Sequence, residues 1–222
     1  MSCAIIYSVD NSAKNEDGGL RERKRLITRA AICNTARQLT TDRGLNGFTV
    51  EELCEQVGIS RRTFFNYFPP KEDAILGHSD GHRPDDLVDA FMASAGSVPL
   101  LEALVDFAAA AGGRLEMTRD EFAQLHAVMQ REPRLLVKLF GDSAVKQKEF
   151  AALIARRESM APDDPRAIMA AQLIGQLAWQ STHAFFSGEE GPSFRQILDS
   201  QIDAARYLFA DGTHHTASDG TP

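Results

Sequence analysis

The 222-residue sequence predicts an all-α protein: a three-helix N-terminal domain containing a helix-turn-helix, then a larger helical body, about nine helices in all. Three observations carry this expectation. Apolar residues recur at three-to-four spacing along most of the chain, the period of one helix face. No segment sustains the alternation of a half-buried strand. There is no repeat of fixed period and no glycine-rich phosphate loop.

The composition, 43% hydrophobic and 25% charged, is that of an ordinary globular chain. Cys3, Cys33 and Cys54 form no CxxC pair and leave an odd count, which points to a reducing compartment. Residues 1–19 begin with a short apolar run lacking a basic flank, too short for a signal peptide, and read as a disordered leader. Residues 211–222, with His214 and His215, read as a disordered tail. The division is therefore 1–19, 20–76, 77–210 and 211–222.

Charge sharpens that division. Residues 20–76 hold ten Lys or Arg against seven Asp or Glu, a net of +3, so the remainder carries −10 of the overall −7. The basic excess peaks at Arg21, Arg23, Lys24 and Arg25, with Arg29 a turn later. A basic head on an acidic body suits a chain that docks on a polyanion by one end.

The first helix runs from about Leu20 to Thr41 on the stripe Leu26, Ala30, Cys33, Ala36 and Leu39, and Cys33 there reads as a small core residue. Asp42-Arg43-Gly44 and Asn46-Gly47 end it. Thr49 caps a second helix, with Glu52 placed to complete a capping box. Val50, Leu53, Cys54 and Val57 form its buried face. Gly58 permits a sharp reversal and Ile59 fills the corner.

Ser60 caps the third helix, with Phe64 and Phe68 as its buried side. Arg61 and Arg62 occupy the first turn, where the helix dipole disfavours cations by up to about 1 kcal/mol. Two arginines in that position make sense when their partner is a phosphate or a guanine edge. Thr63 and Asn66 share the exposed side, with Tyr67 and Lys71 at its far edge. Pro69-Pro70 stops the helix, and Lys71-Glu72-Asp73 opens the next. Gly77 to Pro84 is a loop or break; His78 and His82 within it read as loop residues rather than a metal pair. No metal and no cofactor are expected.

In the body, Leu100, Leu104, Phe107, Ala108 and Ala111 form one stripe, and Phe122, Leu125, His126 and Met129 another that ends at Pro133. Leu135–Phe140 and Val145–Glu158 follow, with a break near Gly141. Residues 167–188 contain no Asp, Glu, Lys or Arg in 22 positions. Gln172, Gln176, Gln180 and His183 form a polar stripe there, which favours burial between helices over a membrane span. The last helix carries Phe194, Ile197, Leu198, Gln201, Ala205 and Leu208 on one face. Paired with the preceding helix, it predicts a four-helix homodimer interface of Gln172, Gln180, Phe185, Phe186, Ile197, Leu198, Gln201, Ala205 and Leu208.

Phe48-Thr49-Val50-Glu51-Glu52-Leu53, Val57-Gly58-Ile59-Ser60, Thr63-Phe64-Phe65-Asn66-Tyr67-Phe68 and Lys71-Glu72 resemble the DNA-binding domain of the tetracycline-repressor (TetR) family of bacterial regulators. The resemblance covers residues 20–76. It implies phosphate contacts at Thr49, Tyr67 and Lys71, and base or adjacent backbone contacts at Arg61, Arg62 and Thr63. Phe65 stands where many relatives carry tyrosine, which leaves it packing or a thymine-methyl contact. Arg62 replaces a common glycine. With Asn66 and the basic Arg21, Arg23 and Arg25, these form the expected DNA-binding set.

The resemblance further implies a cytoplasmic bacterial repressor: a homodimer on a palindromic or pseudo-palindromic duplex operator, released by a small-molecule effector. Candidate effector-pocket residues are Phe107, Phe122, His126, Met129, Gln176, Trp179 and His183, aromatic walls with a few polar handles. The alternative is a ligand or lipid carrier of the same fold that does not bind DNA. It predicts loss of the basic face, which Arg61, Arg62 and Lys71 retain. No HExxH, GxSxG or P-loop motif supports an enzyme.

Overall fold

The computed structural model describes residues 16–77, 85–115, 117–188 and 191–209. Among them are ten helices and no strand: α1 (Glu16–Arg43), α2 (Val50–Val57), α3 (Arg61–Tyr67), α4 (Lys71–Leu76), α5 (Asp85–Ala93), α6 (Leu100–Gly113), α7 (Arg119–Arg131), α8 (Pro133–Arg157), α9 (Pro165–Ser187) and α10 (Phe194–Phe209). Local chemistry sets most of the ends. Thr49 and Thr118 each close a capping box, with Glu52 and Glu121. Ser60 Oγ accepts the Thr63 amide at 3.1 Å to start α3. Pro133 and Pro165 occupy the first turns of α8 and α9, where a missing N–H costs nothing. The α2–α3 reversal is made by Gly58, whose φ of 75° is left-handed.

Two boundaries differ from the expectation, and a third follows it. α1 starts at Glu16, inside the expected leader, since extending a nucleated helix is inexpensive. α8 runs unbroken through Gly141, because one glycine costs only about 1 kcal/mol and long-range packing outweighs it. The break after Leu76 separates α4 from α5, bringing the count to ten. His78, His82, His214 and His215 lie outside the described residues.

Two apolar cores result. The first gathers Ile32, Leu39, Leu53, Phe64, Phe68 and Ile75, and also draws Val128, Met129, Leu135 and Leu139 from α7 and α8. Ala30, assigned to the α1 stripe, is exposed, and Ile32 takes its place at 0% exposure. The second core is built round the rings of Phe91, Phe107 and Phe150, whose centroids lie 5.1–6.1 Å apart. Buried Ala151 and Ala155 of α8 and Ala167 and Ala171 of α9 keep side-chain bulk low in this core, where those helices pack. Arg157, fully inside, donates to the carbonyls of Phe91, Ser94 and Val98 and so ties α8 to the end of α5 and the α5–α6 turn. No helix among the described residues is long and apolar enough to cross a membrane.

Polar bonds brace the first core and fasten α7 and α8 to it. From α1, Arg37 Nε donates to Ile75 O at 2.9 Å and Arg29 Nη2 to Gly77 O at 2.5 Å, closing the end of α4. From the α7–α8 corner, Arg131 Nη1 donates to Thr41 O at 2.9 Å, and Glu132 Oε1 accepts the Leu45 amide at 2.8 Å. Lys138 of α8 pairs with the buried Asp73 of α4 at 2.9 Å.

Candidate nucleic-acid interface

The α2–α3 corner is rigid because its buried side is aromatic: Phe64 and Phe68 are both at 0% exposure with ring centroids 6.3 Å apart. That anchoring leaves Arg61, Arg62, Phe65 and Asn66 on the outer side of α3, all exposed. Phe65 is 44% exposed, an unusual position for a phenyl ring. Arg61 lies 5.7 Å from its ring centroid and forms an ion pair with Glu51 of α2 at 2.7 Å.

The remaining members of the expected set are not simply presented to solvent. Thr63 is half-buried, its hydroxyl 2.8 Å from that of Ser60. Tyr67 is half-buried against the first core. Thr49 caps α2 as its position predicts, its hydroxyl donating to Glu52 Oε2 at 3.1 Å. Those bonds from the Thr49 amide and hydroxyl hold the Glu52 carboxyl below its ordinary range. Lys71 Nζ donates to Phe48 O at 2.9 Å and lies 4.6 Å from that ring's centroid, which pins the entry to α2. An ammonium has three hydrogens, so this bond leaves capacity for a phosphate.

Arg21, Arg23 and Arg25 do not form one patch. At about 100° per residue, Arg21 and Arg25 share a side of α1 while Arg23 lies roughly opposite. Arg29, next along the Arg21–Arg25 side, turns inward, with its guanidinium 5.8 Å from the Phe68 ring centroid.

The expected effector residues do not all line one site. Phe107 is interior to the second core and Met129 to the first, so neither lines a common site with the others. Packing explains this, since both lie on the inward stripes of their helices. Gln176, Trp179 and His183 share the outward side of α9. Phe122, His126 and His183 do converge across α7 and α9, at ring-centroid distances of 5.7–6.5 Å. They are joined by Phe186, stacked on Phe122 at 5.1 Å.

Phe186, one of the expected dimer-interface residues, is buried within its own chain. Leu198 likewise has 0% exposure in the second core, beside Phe194 and Ile202 of the same helix. Phe194 and Leu198 of the α10 stripe are therefore covered within the chain, where α10 packs on α6 and α9. Gln172 and Gln180 are exposed; Phe185, Ile197, Gln201 and Ala205 are half-buried. Leu208 lies in the last turn of α10, where the side chain is outside the described residues. Residues missed from sequence include Glu51, which passes for a cap-region acid, and the Arg131–Glu132 pair, whose only signal is its place before Pro133.

A short helix locked onto an aromatic core by a glycine turn, with arginines at its exposed N-terminus, defines a helix-turn-helix DNA-binding protein. Residues 32–75 match the family profile described as bacterial regulatory proteins, tetR family. Over 212 residues the chain is 34% identical to the HTH-type transcriptional regulator TcmR of Streptomyces glaucescens, covering 87% of this chain and 89% of that protein. The HTH-type transcriptional regulator EthR of Mycobacterium tuberculosis (strain ATCC 25618 / H37Rv) is 48% identical over 46 residues, 21% of each chain. Among solved structures, Salmonella enterica GusR aligns over 81% of this chain and 95% of its own, at 19% identity and a TM-score of 0.42. The chain belongs to the TetR family of bacterial regulatory proteins and is a helix-turn-helix transcriptional regulator.

Proposed function

We propose that the protein is a cytoplasmic homodimeric repressor that reads a palindromic operator with α3 of each protomer and is released by a small molecule. Residues 20–76 would supply the DNA reader and 77–210 the effector and dimer functions. The observation that carries the release mechanism is the double attachment of α7. Its end is fastened to α1 and to the α1–α2 turn through Arg131 and Glu132. Phe122 and His126, also on α7, meet His183 and Phe186 of α9. A planar ligand wedged among these rings would displace α7, and α7 would carry the reader with it. Such a ligand shifts the equilibrium only by its differential affinity for the two arrangements.

The outer face of α9, with Met169 and Leu173 at 53% and 46% exposure beside Gln172, Gln176 and Gln180, is the proposed dimer surface. Two half-sites one turn apart, about 34–36 Å, require such a pairing. The test is binding of the full-length protein to DNA from upstream of its own gene, across salt concentrations, with random DNA as the comparison. Repression of its own gene predicts tight binding whose log affinity falls linearly with log salt. Equal affinity for random DNA would sink it. Thermal-shift screening then identifies effectors, since a ligand of the folded state raises the melting temperature.

A further inference from the structure

We propose that Glu51 is a specificity-determining positioning residue: it holds the Arg61 guanidinium in the pose from which Arg61 reads one base pair. The inference rests on the DNA-reading role of α3 and adds to it a residue on α2. Three side chains from two helices meet on the exposed face. The Glu51 carboxylate accepts from Arg61 Nη1 at 2.7 Å, and the Arg61 guanidinium carbon lies 5.7 Å from the Phe65 ring centroid. All three are substantially exposed, at 54% and 62% for the Glu51 and Arg61 side chains. The arrangement therefore contributes little to folding, since solvent screens an exposed ion pair and holding it costs side-chain freedom.

Its geometry does more for recognition. A free arginine side chain has many rotamers, and much of that freedom is lost on binding a guanine edge. Held between a carboxylate and a ring, the Arg61 guanidinium has lost part of that freedom before DNA arrives. Arg62, one position on, has no ion-pair or hydrogen-bond partner among the described residues and remains free to follow phosphate. A carboxylate beside the duplex also repels phosphate, so Glu51 weakens binding to all sequences alike. The two effects together raise the ratio of specific to non-specific affinity, which is what selects one site in a genome.

The experiment compares full-length wild type, Glu51→Gln, Arg61→Ala and the double variant. A pool of random-sequence duplex DNA is enriched on the wild type. Affinities are then measured for the enriched site, for versions with each base pair of a half-site replaced, and for unrelated duplex. The expected result has three parts. Glu51→Gln binds unrelated DNA more tightly. It loses about three- to tenfold of the preference at the same base pair where Arg61→Ala loses about tenfold or more. In the Arg61→Ala background, adding Glu51→Gln costs no further preference. An unchanged preference in Glu51→Gln overturns the proposal, as does a loss at a different base pair that persists without Arg61, which would make Glu51 itself the reader. A wild type that enriches no motif overturns the DNA-reading role and this proposal with it.

Discussion

The carboxylate of Glu132 accepts the backbone N–H of Leu45 at 2.8 Å across 87 positions of sequence. It does so at the turn between α1 and α2, where Gly44 takes a left-handed φ of 76°. A side chain on Gly44 would meet the same carboxylate at 3.1 Å. The body of the protein thus holds the turn that aims the DNA reader.

Replacing Glu132 by Ala leaves the Leu45 amide without this partner, a loss of about 1–3 kcal/mol for a buried donor. Glu132→Gln keeps an oxygen acceptor and should lose much less. Hydrogen exchange at Leu45 and its neighbours should accelerate in the alanine variant while the second core stays protected. Uniform acceleration throughout the chain would show that Glu132 serves global stability rather than this junction.

At the opposite end of α7, Glu121 is pulled two ways. Burial raises its pKa, but bonds from the Thr118 amide, the Asn34 side chain and the Thr118 hydroxyl, with the charge of Arg37, bring the net value below the ordinary range. The folded protein therefore binds this proton less tightly than the unfolded chain. The stabilisation is complete above the unfolded glutamate value of about 4.3 and is lost as pH falls through the folded value. Glu121→Gln should be less stable than wild type at neutral pH, with the difference closing on acidification below about pH 4. Denaturant melts at several pH values measure this, and a gap independent of pH would contradict it.

Gly112 offers a test of packing. A Cβ there would lie 2.2 Å from the Phe194 ring, well inside contact distance. Glycine to alanine within a helix ordinarily gains about 1 kcal/mol. Here overpacking, typically about 1–3 kcal/mol, opposes that gain and at 2.2 Å should exceed it. Gly112→Ala should melt lower than wild type, and adding Phe194→Leu should recover part of the loss. A higher melting temperature for the single variant would mean the ring moves aside freely.

The difference between what was legible and what was not follows from the range of the interactions. Thr49, Gly58, Ser60 and Phe64 act within a few positions of themselves, so the helix-turn-helix and its exposed Arg61 and Arg62 could be read from spacing alone. Leu198 and Met129 lie on the apolar stripes that their spacing predicts, yet they and Phe186 pack against other neighbours than the expected ones. A stripe records that a face is covered, not which element covers it. The links from Arg37 to Ile75, Glu132 to Leu45 and Lys138 to Asp73 span distant positions and carry no periodic signal, so only the folded arrangement reveals them.

The same distinction separates two sets of apolar residues on the last helices. Met169 and Leu173 lie on the outer face of α9 at 53% and 46% exposure, whereas Leu198 of α10 is wholly enclosed. Glutamate at positions 169 and 173 should leave the monomer folded, because both sites already face water and glutamate is a good helix former. In a dimer joined through that face it would bury four unpaired carboxylates, which is prohibitive. Sedimentation should therefore give a dimer for wild type and a folded monomer for Met169→Glu/Leu173→Glu. Affinity for a two-half-site operator should fall by about a hundredfold or more as the second contact ceases to be intramolecular. Leu198→Glu is the contrasting case: a carboxylate forced into the core should lower the helical signal itself. A double variant that stays dimeric would move the interface off this face of α9.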